Sequence, residues 1–353
     1  MYNQIKKPVV KEETLWKKTV TELKAKMLAD EYVEGAKFAS LSDLSREYGI
    51  SKITALRVVS ELEKLGLVKR IPRRGTFIVG RPRNRAIKVA LDFQKTWDAN
   101  VLPIIWKYIA GVEAACRKVR YNMQMVSLGH VASNPNPDDR YILLAADPEK
   151  PAYLEFSNKH CPHVFLHSAS RLTAHDCIRV NHRTGGRIMT QHMIDAGHTS
   201  IAYVGGRASS EWHGPRLRGY LEALEERGLP LDVRLVGEIG ASVPEAQGAR
   251  PEVERLLSLP NPPTAIVASD DLRALSIIAC LEKKGLSVPG DLAVSGMDAR
   301  VEALERALPL TTCDWQLEQQ GEIAVDFLVY PPSSGKGPRE IVVEPRLVPG
   351  KTA

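Results

Sequence analysis

Two groups of side chains in this sequence could do chemistry. In "KRIPRRG", Lys69, Arg70, Arg73 and Arg74 place four cations within six residues, with Gly75 directly after them. Like charges at that density repel unless an anion lies against them, so the stretch is suited to phosphates or another anionic surface. Further along, His160, Cys161, His163, His167, His175 and Cys177 crowd eighteen residues, and each is a zinc-ligand type. Their spacing matches no known zinc finger. On one strand His163 and His167 would lie more than about 12 Å apart, at ~3.3 Å per residue. The segment is read as loop and strand-end residues, and no metal and no cofactor are expected.

The elements that must position the cations can be read around them. Trp16, Val20, Leu23 and Met27 step by four, three and four, one face of a helix. In "ASLSDLSREYG", Ser40 can cap a short helix that Gly49 stops. Ser51 then starts a second helix, with Ala55, Val58, Val59, Leu62 and Leu65 inward and Gly66 at its end. After it, "LVKRI" and "TFIV" read as strands around a "PRRG" turn. A helix-turn-helix followed by a hairpin is a winged motif: the second helix enters the major groove and the wing reaches phosphates or a minor groove. Lys52, Thr54 and Arg57 are expected to face bases, with Lys69, Arg70, Arg73 and Arg74 on the backbone. Charge follows this division, since residues 1–85 carry a net +9 and the remainder a net −3.

The stretch "LSDLSREYGISKITALRVVSELEKLGLVKRIPRRGTFIVG" resembles the winged helix-turn-helix of GntR-type bacterial transcription regulators. Ser51, Lys52 and Thr54 match the start of the family's recognition helix, and Gly75, Thr76 and Phe77 match the end of its wing. The resemblance implies a double-stranded DNA operator as partner. Two departures touch the base-reading set: Leu56 stands where the family usually has Arg, and Ser42 replaces an Arg common in the preceding helix. Since about 100° of helix separates adjacent positions, Arg57 cannot simply take the role that Leu56 vacates.

Beyond a basic linker the pattern alternates between short apolar runs and amphipathic stretches, which implies an α/β fold with parallel strands covered on both faces. Phrases such as "RLRGYLEALEERGLP", "PPTAIVASDDLRAL" and "LSVPGDLAVSGMD" resemble the effector domain of LacI/GalR repressors, itself similar to periplasmic sugar-binding proteins. A GntR-type head on such a body resembles the arabinose-repressor group. The expected organisation is a winged helix-turn-helix over 1–80, a linker over 81–86, and a two-lobed α/β domain over 87–350 whose chain crosses near 181, 313 and 330. Only "HVASNPNPDDR" stands where the family places a helix in the first lobe, and it reads as too short and Pro-rich for one.

In that fold a ligand lies between the lobes at the carboxyl ends of strands. A sugar would need paired polar groups for its hydroxyls and an aromatic face for its C–H surface. The resemblance implies Arg216 and Asp298 for hydroxyls, Ser269 and Asp270 beside them, and Trp315 at a lobe-crossing position. Phe93, Gln94 and Trp97, and the loop from His167 to Arg171, should border the cleft. No phosphate loop or nucleophile elbow is present, so an enzyme is not expected. No segment has the 18 or so consecutive apolar residues of a membrane span, and the five cysteines contain no CxxC, which together imply a cytoplasmic protein. The overall expectation is a homodimeric repressor controlled by a sugar-like effector. The alternative is a solute-binding or metal-sensing protein using residues 160–177.

Overall fold

The computed structural model describes residues 15–28, 32–33, 35–79, 86–91, 101–133, 135–136, 139–144, 161–166, 175–239, 248–330 and 338–353 of the 353-residue chain. The head consists of α1 (Leu15–Leu28), α2 (Leu41–Glu47) and α3 (Lys52–Lys64), then the hairpin β1 (Val68–Ile71) and β2 (Gly75–Ile78). Ser40 closes a reciprocal cap with Asp43, and the Ser51 hydroxyl accepts the Thr54 amide, so both start signals act as the sequence implies. Leu23, Leu44, Ala55, Val58, Val59 and Leu62 form the centre of the head core.

The first lobe contains β3 (Ala86–Leu91), α4 (Leu102–Val119), β4 (Asn122–Ser127), α5 (Leu128–Ser133), β5 (Arg140–Leu144), β6 (His163–Leu166) and β7 (Cys177–Val180). After the first crossing come α6 (His182–Asp195), β8 (Ile201–Gly205), α7 (His213–Glu226), β9 (Val236–Glu238), α8 (Arg250–Leu257), β10 (Ala265–Ala268), α9 (Asp271–Lys283), β11 (Ala293–Ser295) and α10 (Val301–Leu304). The chain then runs through β12 (Thr312–Asp314) and α11 (Leu317–Val329) to β13 (Glu340–Val343) and β14 (Arg346–Val348).

The first lobe's sheet has the order β13-β7-β6-β5-β3-β4 and the second lobe's β11-β10-β8-β9, every neighbouring pair parallel. Two expectations are corrected. A short helix, α5, does form after β4, because its first proline comes only at Pro135 and Leu128 and Val131 both bury beside Tyr141. The third crossing lies between β13 and β14 rather than near 330, since β13 pairs with β7 in the first lobe while β14 pairs with β12.

Helix pairs fix the cleft. α4 lies against α11, and α6 against α7. Where α7 packs on α6, a Cβ on Gly219 would sit 1.9 Å from the Arg183 carbonyl oxygen, so only glycine permits that approach. Among the described residues, no helix is long and apolar enough to cross a membrane.

Candidate functional site

Three strand ends of the second lobe converge beside the first crossing. Arg216 enters from α7, Ser269 and Asp270 follow β10, and Asp298 follows β11. Arg216 and Asp298 are 6% and 7% exposed, with Arg216 Nη1 3.9 Å from Asp298 Oδ1. The Arg216 guanidinium also donates to the Ser269 carbonyl and to His182 Nδ1 at 3.3 Å, and it lies 4.6 Å from the Trp315 ring centre. Trp315 Nε1 in turn donates to Asp298 Oδ1 at 2.7 Å. The indole lies against Gly185 of α6, where a Cβ would come within 2.4 Å of the ring.

The electrostatics favour mutual pairing. Burial first, then the neighbouring Asp270 charge, raises Asp298 to about 6 against the opposing pull of Arg216. Asp271, which accepts Thr312 Oγ1 at 2.5 Å and the Arg300 amide at 2.8 Å, is raised to about 7 by burial and by Asp298. Burial opposes ionisation of Asp270, yet Arg273, Arg216 and His213 hold it below the usual carboxylate range. Burial followed by Arg216 and Arg273 lowers His213 to about 4, leaving it neutral at physiological pH. The backbone at Asp298 and Ala299 takes φ of 142° and 47°, a conformation that side chains rarely adopt and that concentrates at binding sites.

Arg216, Asp298 and Trp315, which the resemblance implies for the cleft, are brought together in space. Ser269 and Asp270 turn inward instead: the Ser269 hydroxyl donates to Asp270, whose carboxylate caps α9 and pairs with Arg273. Phe93, Gln94, Trp97, His167 and Arg171 lie outside the described residues. Sequence reasoning missed His182 and Trp212. The His182 ring stands edge-on to Trp212 and Trp315 at 5.2 and 4.9 Å, bridging Arg216 to a cavity of about 810 Å³ that Tyr108, Asn181, Trp212 and Arg218 help to line. The signal for Trp212 was available: an aromatic between a strand end and the next helix, on the side where ligands bind such sheets. A second cavity of about 500 Å³, lined by Trp106, Lys107, Val301 and others, opens on the Asp298 side.

His163 accompanies His175 at 3.5 Å, while Cys161 and Cys177 are core residues. Among the described residues no group of three or more His, Cys, Asp or Glu is placed to hold a metal.

In the head, Ser42, Ser51, Lys52 and Arg73 are exposed, and Thr54 is half-buried against Ser51. The Arg57 guanidinium stacks on Trp16 of α1 at 4.1 Å. Arg70 is held by Glu63, with Nη2 at 2.6 Å and its amide at 2.9 Å. The wing then makes a contact that the sequence does not foretell. Lys69 pairs with Asp326 on α11, Arg74 donates to the Tyr330 carbonyl, and Phe77 meets the Tyr330 ring at 5.6 Å. Arg73, at φ 61° on the turn, is exposed and makes no ion pair or hydrogen bond among the described residues. Gly75 takes φ 117° where the wing turns back into β2.

Residues 15–78 match the family described as bacterial regulatory proteins, gntR family, and residues 190–353 match the periplasmic binding protein-like domain. The chain is a GntR-headed bacterial transcription regulator. The regulator is 25% identical to the arabinose metabolism transcriptional repressor of Geobacillus stearothermophilus, over 81% of its own length and 82% of the relative's. It is 28% identical to the ribose operon repressor of Escherichia coli, over 66% and 72% of the two chains. Among solved structures, a complex of the transcriptional regulator CelR with cellobiose matches 90% of the regulator and all of that chain, with TM-score 0.63 and 21% identity. A LacI-family regulatory protein from Chloroflexus aggregans matches 76% with TM-score 0.64 and 19% identity, which shows the same fold. The relatives repress transcription, and the regulator is accordingly a repressor whose operator binding answers to an effector.

Proposed function

We propose that the regulator binds a sugar between its lobes, that Arg216 and Asp298 serve its hydroxyls while Trp212, His182 and Trp315 supply its aromatic walls, and that two copies bind an operator together in the cytoplasm. The observation that carries this is the buried Arg216–Asp298–Trp315 group on a strained backbone at the strand ends, beside a cavity of monosaccharide-to-disaccharide size. The names of the relatives, which concern arabinose, ribose and cellobiose, support a sugar as the ligand class. The candidate DNA contacts are Ser42, Ser51, Lys52, Thr54, Arg73 and Gly75, with Arg57 and Arg70 after release from Trp16 and Glu63.

Coupling would run along α11. Its first turns are tied to the cleft, because Gln320 donates to the Trp315 carbonyl at 2.7 Å. Its far end carries Asp326 and Tyr330, which hold the wing. Thirteen residues of helix span roughly 20 Å as one rigid rod. A ligand that displaces Trp315 would therefore move the surface on which Lys69 and Arg74 rest, and so change how freely the wing can reach DNA. Among the described residues Arg74 Nε is buried there without an acceptor, a cost of about 1–3 kcal/mol that weakens the docked state and lets modest forces shift it. A melting-temperature screen against pentoses, hexoses, disaccharides and uronic acids tests the ligand class. One hit at 100 times its Kd should stabilise by about 2.7 kcal/mol and vanish in Arg216→Ala; stabilisation by none of them would defeat the reading.

A further inference from the structure

α3 presents two large apolar side chains to solvent on the face that the winged fold turns toward DNA. Ile53 is 83% exposed, more than any other large apolar residue among those described, and Leu56 is 43% exposed. They stand three residues apart and so are neighbours on the helix surface, within about 5–6 Å between Cβ atoms. The opposite face, Ala55, Val58, Val59 and Leu62, is fully committed to the head core.

The surroundings of the pair select one kind of partner. Lys52 at the helix start is exposed and cationic. The carboxylates of Glu61 and Glu63 are neutralised by Lys64 at 3.3 Å and Arg70 at 2.6 Å. The adjacent Arg57 is drawn onto Trp16, which leaves the apolar pair as the bulk of the exposed early helix. A face that is cationic at its rim and apolar at its centre complements a duplex: phosphates meet the rim, and the centre meets base edges. In the major groove those edges offer one apolar group, the C5-methyl of thymine.

We infer that Ile53 and Leu56 are specificity-determining residues that read thymine methyls in the operator half-site, in place of a hydrogen-bonding arginine at Leu56. The inference rests on the DNA-binding reading of the head. It requires half-sites with thymine at one or two fixed positions whose recognition is apolar, and therefore insensitive to salt.

The test uses the full-length regulator and duplexes selected by it from a random-sequence library. Each thymine of the best duplex is replaced singly by deoxyuridine, which deletes the methyl and preserves the hydrogen-bonding pattern, and Kd is measured by fluorescence anisotropy. One or two replacements per half-site should weaken binding about three- to fivefold, the worth of one buried methyl. The loss should disappear in Ile53→Ala or Leu56→Ala and keep the same salt slope as the parent duplex. In Leu56→Arg the selected base should change from T to G, the partner of a bidentate arginine. Tight, selective binding that tolerates deoxyuridine everywhere overturns the inference and leaves the DNA-binding reading standing. Failure to select any duplex overturns both. If Ile53→Ala alters self-association of the DNA-free protein and deoxyuridine has no effect, the pair is a contact between copies and the inference fails.

Discussion

Replacing Asp298 by Asn keeps the shape of a side chain at the centre of the cleft and removes its ionisation. In the folded protein this carboxyl titrates at about 6, raised by burial and then by Asp270, with Arg216 and Arg300 pulling the other way. In the unfolded chain it titrates at about 3.9. A folded-state value above the unfolded one means that the native protein holds the proton longer. The associated stability is thus fully present below about pH 4 and is lost as pH rises through 6. The gap of about two units amounts to about 3 kcal/mol, or roughly 6–10 °C in Tm for a body of this size. His213 titrates in the opposite sense, since burial lowers it to about 4, but it is present in both proteins and largely cancels in the difference. Melting both proteins from pH 4 to pH 8 should show the wild type losing stability relative to Asp298→Asn as pH rises, most steeply between about pH 4 and pH 6 and levelling off above that. A stability difference that is flat over this range would refute the placement of Asp298 as a buried, proton-holding carboxyl.

Other perturbations follow from the same geometry. Asp326→Ala removes the anchor of Lys69; the pair is about a quarter exposed, so about 1 kcal/mol is at stake, and operator affinity without sugar should rise several-fold while sugar affinity hardly changes. Arg73→Ala should weaken binding to all duplexes alike and reduce the salt slope of log K by about 1; an unchanged slope would remove the wing tip from the phosphate contacts. Gly219→Ala drives a methyl into the Arg183 carbonyl 1.9 Å away, and urea denaturation should register a loss of roughly 1–3 kcal/mol from forced separation of α6 and α7.

The head was legible because its signals are local. Ser40 and Ser51 cap helices by bonding amides three residues on, and such contacts need no knowledge of the rest of the chain. Arg216, Asp298 and Trp315 came from phrase resemblance, and only the fold places an arginine from α7 within 4 Å of a carboxylate 82 residues later. Ser269 and Asp270 illustrate the limit of that route: adjacency to the site in sequence became support of the site in space, because their polar atoms cap α9 and hold Arg216. The wing contact was invisible, since Asp326 and Tyr330 belong to a helix end whose apolar neighbours signal only packing. Arg57 illustrates the same point at short range, as its partner Trp16 lies on α1 and reads in the sequence as a core residue.

The measurement closest to the central claim is a pair of titrations on the full-length regulator with a sugar taken from the melting screen and a selected operator duplex. The sugar's Kd is measured with and without duplex, and the duplex's Kd with and without sugar. If cleft and head are coupled, the two ratios must be equal, typically 5- to 150-fold, and in Arg216→Ala the duplex Kd should no longer respond to the sugar. A sugar that binds in an Arg216-dependent manner yet leaves the duplex Kd unchanged would contradict the account.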